Sequence, residues 1–145
     1  MLFRSLFKTT GYSGSDVLNI SNSLIFDNKY AIYGTDNPSF SINLSNSIFH
    51  NHEERVFTFC QNSIIENCIF KKGKEGIHSG GSYNITVNNC EFSEFTESTT
   101  RTAGTYTNCK FFNNTNGLKL WPDLHLINCY IYNNTYGIVM FYPLQ

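Results

Sequence analysis

The chain has 145 residues, which is enough for one domain with one modest core. Charged residues make up 14% of it and the net charge is −1, which argues against a nucleic-acid partner because phosphate binding needs clustered Lys and Arg. No apolar run approaches the length that spans a bilayer, and residues 1–10 do not contain the continuous apolar stretch of a signal peptide.

The first 16 residues are predicted to form an N-terminal cap and linker. Leu2, Phe3, Leu6 and Phe7 recur at helical spacing, which predicts a short amphipathic turn laid over the start of the domain. Residues 11–16 (GYSGSD) would link this turn to the rest of the chain. Residues 17–145 are predicted to form a single domain.

From residue 17 onwards the chain repeats a tetrapeptide: an Asn, then Ser or Cys, then any residue, then Phe or Ile. The repeat begins at six asparagines spaced 24, 21, 22, 19 and 20 residues apart, namely Asn22, Asn46, Asn67, Asn89, Asn108 and Asn128. Each period of about 20 residues contains three short strand-like runs separated by Asn, Gly and Ser turns. This self-similarity predicts a solenoid whose coils bury their inward side chains on one another.

Two units carry a resemblance to a known group of proteins. Residues 108–118 (NCKFFNNTNGL) and 128–138 (NCYIYNNTYGI) resemble repeats of the pectate-lyase-like parallel β-helix superfamily, and the resemblance covers roughly residues 17–142. It implies an all-β fold, a right-handed parallel β-helix (solenoid) of about six coils of 19–24 residues. It does not select a function, because that superfamily holds lyases, hydrolases, epimerases, viral tailspikes and adhesins.

Stacked coils place equivalent residues above one another. The six asparagines are predicted to form a ladder at a bend, because Asn tolerates the left-handed backbone region and its amide can bond to its neighbours in the stack. Cys68, Cys90, Cys109 and Cys129 continue a column begun by two serines, and buried thiols of this kind act as small hydrophobes. We expect neither a metal nor a cofactor, because zinc needs converging ligands rather than thiols in a line. Cys60 lies outside the column and is the predicted reactive thiol.

Alternation along the last strand of each coil predicts an outward row of side chains, including Phe57 and Thr100, in which aromatic rings accompany one His and one Lys. The predicted ligand-binding residues are Tyr33, Phe57, Phe59, His78, Lys119 and Trp121. An exposed apolar row usually marks a contact surface, and in the resembled superfamily such strand faces commonly line carbohydrate grooves. Contact with a polysaccharide and cover by a protein partner both remain open.

The acidic residues supply no carboxylate pair on this row, although sugar hydrolysis by the usual route needs one. The cluster from His50 to Glu54 could bind a metal ion but is interpreted as a solvated bend. A non-catalytic module is therefore favoured. The alternative is a polysaccharide lyase or glycoside hydrolase that acts on acidic polysaccharide, with His78 and Lys119 as its catalytic residues.

The C-terminal end of the repeat has no polar cap, because residues 139–143 read VMFYP. We expect a protein partner or a second copy of the chain to cover this edge. The favoured function is accordingly a structural or binding module of a larger viral or cell-surface assembly.

Overall fold

The computed structural model describes residues 5–9, 17–34, 41–58, 62–78, 84–120 and 123–140, and every regular element within these ranges is a β-strand. The first eight strands are β1 (Ser5–Thr9), β2 (Val17–Ser21), β3 (Leu24–Phe26), β4 (Tyr30–Gly34), β5 (Ser41–Ser45), β6 (Ile48–Thr58), β7 (Ile64–Glu66) and β8 (Ile69–His78). The next eight are β9 (Ile85–Asn88), β10 (Glu91–Arg101), β11 (Gly104–Thr107), β12 (Lys110–Phe112), β13 (Asn116–Leu120), β14 (Leu124–Ile127), β15 (Tyr130–Tyr132) and β16 (Tyr136–Met140).

The strands pair in parallel and form three sheets that wind around one interior. The first sheet has the order β14-β11-β9-β7-β5-β2, so that each coil contributes one strand in turn. The second sheet has the order β1-β4-β6-β8-β10-β12-β15, with β3 also pairing with β6, and the third sheet pairs β13 with β16. This is the predicted right-handed parallel β-helix, with about five complete turns between the first and last asparagine bends rather than about six.

The six repeated asparagines form the predicted ladder. All six have positive φ, between 48° and 56°, and so make the left-handed bend between the first and second sheets. The backbone N–H of each of the first five donates to a carbonyl of the following coil, as Asn67 does to Asn88 at 3.0 Å. Asn89 also donates from Nδ2 to Asn67 Oδ1 at 3.0 Å, which is the side-chain bonding expected within the stack.

The core is built from columns of like residues. Four phenylalanine rings stack nearly parallel at centroid separations of 4.8–5.2 Å, in the order Phe49, Phe70, Phe92 and Phe111. Ile20, Leu44, Ile65, Val87 and Tyr106 form a second buried column from the first sheet. Cys68, Cys90 and Cys109 are buried as predicted, and each thiol donates to the carbonyl two residues earlier in its own coil.

Two β-bulges change the predicted facing of the last strand in the second and fourth coils. One extra residue lies between His52 and Arg55 in β6, and another lies between Phe95 and Ser98 in β10. The extra residue brings Phe57 and Thr100 into register with Ile77, whose side chain is fully buried. The prediction that Phe57 faces outward is therefore wrong, as it is for Thr100.

The N-terminal segment also differs from expectation where the structure describes it. Ser5–Thr9 is a strand that pairs in parallel with β4, with Ser5 opposite Tyr30, so the predicted helical turn is wrong over these residues. Residues 1–4 and the predicted linker at 11–16 lie outside the described residues. Pairing with the open edge of β4 has overridden a weak local pattern of four apolar residues.

Candidate functional site

One polar row, called the outer polar row below, alternates along the second sheet with the core residues Ile32, Phe57 and Ile77; Thr58 within it is fully buried and His78 is 8% exposed, so only part of the row reaches solvent. Strand register places Tyr33 opposite Thr58, Thr58 opposite His78, and His78 opposite Arg101. Lys119 lies on β13 and is opposite Val139 of the following coil. Because of the bulges, the row holds Thr58 and Arg101 where the sequence predicted Phe57 and Thr100, so it is more polar and more basic than expected.

Three charged or titratable side chains meet beside this row. Arg55 Nε donates to Glu75 Oε2 at 2.5 Å, and His78 Nδ1 lies 3.0 Å from the same oxygen. Only 4% of the Glu75 side chain and 10% of the His78 side chain are exposed, against 30% for Arg55. A nearly buried carboxylate thus links one half-buried guanidinium to one imidazole.

The electrostatics of this cluster keep Glu75 ionised. Burial raises the pKa of Glu75, but the hydrogen bonds and charges of His78 and Arg55 outweigh it and lower the pKa to about 2. An ionised carboxylate only accepts hydrogen bonds, so Nδ1 is the protonated nitrogen of His78 where it meets Glu75. In a neutral ring this leaves Nε2 as the basic nitrogen, which is the arrangement that orients a histidine for acid–base chemistry.

The sequence did not reveal Glu75 because residues three apart point to opposite faces of a regular strand. Glu75 and His78 lie within β8 and both are buried, and Gly76 between them packs so closely on the next coil that an added Cβ would lie 2.2 Å from the carbonyl oxygen of Thr99. Their side chains nevertheless meet, with His78 Nδ1 3.0 Å from Glu75 Oε2. The signal available in the sequence was a column of small residues nine positions after several of the asparagines, which includes Gly76, Gly117 and Gly137.

The other predicted ligand-binding residues are dispersed. Tyr33 is half-buried and its ring lies 4.8 Å from that of Tyr30. Phe57 is fully buried, with its ring edge-on to Phe49 and Phe70, so it cannot line an outer surface. Phe59, Cys60 and Trp121 lie outside the described residues.

The cluster from His50 to Glu54 is only partly the solvated bend that was predicted. Asn51 makes the bend with a φ of 58°, and Glu53 is exposed. His52, however, points into the core with 2% exposure, because the bend reverses its side, and burial lowers its pKa. Within the described part of the chain, no three His, Cys, Asp or Glu side chains converge in a way that could hold a metal ion.

An apolar patch on the outer side of the second sheet was missed. Strand register aligns Leu24, Ile48 and Ile69, and all three are exposed, as is the neighbouring Phe26. Leu24, Ile48 and Ile69 are the variable third residues of the repeated tetrapeptide in its first three units. An apolar residue at an outward variable position was the signal that could have identified this patch.

The coil formed by β14, β15 and β16 (residues 124–140, called the open coil below) ends all three sheets. Six of its large apolar and aromatic side chains are exposed, among them Tyr130 at 66% and Ile138 at 49%, and its other aliphatic side chains are half-buried. Leu118, one coil earlier and opposite Ile138, is fully buried. The open coil therefore presents core-type side chains and three strand edges that have no partner among the described residues.

Stacked parallel strands, inward columns and asparagine bends define this molecule as a parallel β-solenoid. Residues 39–142 match the family model described as a right handed beta helix region, and the chain belongs to that family. Comparisons with curated proteins and with solved structures give no significant match. None of the described residues forms a helix of the length and apolarity needed to cross a bilayer.

Proposed function

We propose that the chain is a non-catalytic structural or binding module that docks through its open coil into a larger assembly, such as a viral or cell-surface one. Glycan contact along the outer polar row would be an accessory property of the same rod. The observation that carries this proposal is the asymmetry between the two ends of the solenoid.

At the N-terminal end most inward side chains are covered, although Leu18 is half-buried. Ile20, Ile25 and Asn28 of the first coil are buried. Their counterparts in the open coil, Leu126, Ile131 and Asn134, are only half-buried. Burying such apolar side chains is favourable by about 25 cal/mol per Å². Because the open coil leaves them in water, a partner that covers them would gain this free energy, and the open coil is the proposed docking surface.

The composition of the open coil supports the same proposal. Proteins commonly protect sheet edges with charged side chains, especially Lys, or with Pro. Residues 124–140 contain no Lys, Arg, Asp, Glu or Pro. An edge without these protective residues pairs readily with another chain.

Sedimentation velocity over a range of concentrations, with native mass spectrometry, would test the docking end. We expect the chain to associate, and Ile138→Lys in the open coil to abolish this association. The matched control is Ile48→Lys, because Ile48 is a similarly exposed (41%) isoleucine on the lateral apolar patch. A chain that stays monomeric at high concentration would count against the proposal, and loss of association in Ile48→Lys alone would move the docking surface to the lateral patch.

The alternative function is that of a polysaccharide lyase or glycoside hydrolase with His78 as an acid–base catalyst. The observation that favours it is the contact between Glu75 and His78, with Arg101 next to His78 in the row. Arg101 and Lys119 would bind the acidic groups of the substrate, and Glu75 would act as a positioning residue.

Release of reducing ends and of unsaturated products from a panel of acidic polysaccharides would test this alternative. If the chain is an enzyme, His78→Ala abolishes turnover and Glu75→Gln changes its pH profile. His125→Ala, at an exposed position of the open coil, is the control and should leave turnover unchanged. Glycan binding that Trp121→Ala removes, without any turnover, would instead identify a carbohydrate-recognition role.

A further inference from the structure

Two asparagines that point inward at a second bend form a repeating bond pattern between coils. The backbone N–H of Phe95 donates to Asn114 Oδ1 at 2.9 Å, and the N–H of Asn114 donates to Asn134 Oδ1 at 2.9 Å. Each carboxamide also donates back, from Asn114 Nδ2 to the carbonyl of Phe92 at 3.1 Å and from Asn134 Nδ2 to that of Phe111 at 2.9 Å. Asn114 Nδ2 donates to Asn134 Oδ1 as well, at 3.0 Å, so the Asn134 carboxamide accepts from two donors of the preceding coil and donates to one of its carbonyls.

This pattern is incomplete at the open coil. If the pattern continued, a carboxamide from a following coil would accept from the N–H of Asn134 and donate to the carbonyl of Ile131. No described residue supplies this carboxamide. The neighbouring backbone follows the same pattern, because Thr135 and Tyr136 donate to the carbonyls of Asn114 and Thr115, and no described residue donates to the equivalent carbonyls of Asn134 and Thr135. The open end therefore presents a specific polar pattern as well as an apolar one.

We propose that the partner of the open coil is a polypeptide segment that adds in parallel as a further β-coil and places an Asn side chain over Asn134. This inference rests on the proposed function, in which the open coil is the docking end. A carboxamide is the side chain that fits, because it offers a donor and an acceptor on one planar group. A carboxylate would only accept hydrogen bonds, and an ammonium group would only donate them.

The position that Asn134 holds in its coil is occupied by Asn in other coils of this chain. Asn28 occupies it in the first coil, where it is buried, as Asn114 is in the fifth coil. Both Asn114 and Asn134 follow a residue with a φ near 55°, so the bend that aims the carboxamide is part of the repeat itself. A partner segment would need an Asn that follows a residue with positive φ, as Asn28 follows Asp27 and as Asn114 and Asn134 follow Asn113 and Asn133.

The probe is a synthetic peptide with the sequence of residues 126–136, in which Cys129→Ser prevents disulfide formation. The matched peptide carries the additional change Asn134→Ala. Two buried hydrogen bonds should make the Asn peptide bind the full chain about five- to a hundred-fold more tightly than the Ala peptide, measured by fluorescence anisotropy. In hydrogen exchange, the Asn134 amide of the chain should become protected only by the Asn peptide, whereas the Asn114 amide, already bonded to Asn134, serves as the internal control.

The outcomes separate this inference from the proposed function. Equal affinities, with equal protection of the Asn134 amide, would overturn the carboxamide pairing and leave the docking end intact. If neither peptide binds while Ile138→Lys still abolishes self-association, the open coil docks a second copy through its apolar side chains, and the inference is also wrong. If neither peptide binds and the chain is a monomer, the inference and the proposed function fall together.

Discussion

Replacing Glu75 by Gln tests the charge cluster at its centre, because Gln keeps the shape of the side chain and removes the charge that Arg55 and His78 contact. The pKa of Glu75 is about 2 in the folded protein against an ordinary value of 4.5, and each unit of difference corresponds to about 1.4 kcal/mol. The ionised carboxylate then contributes about 3 kcal/mol to the free energy of unfolding. Solvent screening of the part-exposed Arg55 reduces this to about 2 kcal/mol.

The direction of the pH dependence follows from the same pKa. Because the folded value is the lower one, the contribution is complete above the unfolded pKa of 4.5 and is lost as the pH falls from 4.5 towards 2. At pH 2 the native carboxyl is half protonated, and below that it resembles the neutral amide of the variant. The difference in stability between the native chain and Glu75→Gln should therefore be constant above about pH 5 and shrink towards zero below pH 2.

Urea unfolding at several pH values measures this difference directly, and other carboxylates cancel because they titrate in both proteins. The control is Glu94→Gln, since Glu94 pairs with Lys71 at 3.3 Å but has 45% of its side chain exposed; we expect it to cost less than about 0.5 kcal/mol at any pH. A Glu75→Gln cost that stays the same from pH 7 down to pH 2 would show that the carboxylate charge does not stabilise the fold, and the reasoning would fail.

Three further predictions concern the stacking itself. Gly117→Ala should destabilise the chain by about 1–3 kcal/mol in thermal unfolding, because its Cβ would lie 2.4 Å from the Gly137 carbonyl, whereas Gly137→Ala, with its nearest contact at 3.7 Å, should be nearly neutral. Asn108→Ala should cost about 1 kcal/mol more than Asn108→Gly, since the φ of 54° suits Gly better; equal costs would show that the left-handed bend does not determine this position. Alkylation followed by mass spectrometry should modify half-buried Cys129 well before buried Cys109, and the reverse order would contradict the open coil.

The sequence predicted the periodic part of this molecule well. Six asparagines at bends, a buried cysteine column and parallel stacking all follow from residues that recur at nearly fixed spacing. What escaped prediction is local irregularity. A bulge adds one residue within a coil whose length already varies from 19 to 24, so the spacing cannot reveal where the extra residue lies, and Phe57 was assigned to the wrong face.

The candidate site escaped for the same reason. Strict alternation does not predict the contact between Glu75 and His78, and the bulges determine that Thr58 and Arg101 become the neighbours of His78. Alternation predicted His78 and Lys119 as members of an outer row, but it could not supply the partners that give His78 its chemistry. The binding roles of the predicted residues therefore remain predictions.

A solenoid with near-identical core columns has to specify which coil stacks on which. The core specifies this order only weakly, because the four equivalent phenylalanine rings would stack equally well if the coils were in another order. The surface charges discriminate better: Lys74 of the third coil lies between Glu54 and Glu97 of its two neighbours, at 3.3 and 3.6 Å.

Each exposed pair contributes little stability, yet skipping a coil would stack Glu on Glu and so disfavour the wrong order. The bulged second and fourth coils flank a regular third coil and add a geometric constraint of the same kind. The open coil has neither charged pairs nor a bulge to fix its neighbour, since residues 124–140 lack Lys, Arg, Asp and Glu and its strands pair without a register shift. In the docking proposed above, selection of the partner would therefore depend on backbone register and on the Asn134 amide, and this is why a single carboxamide should have a large effect on docking.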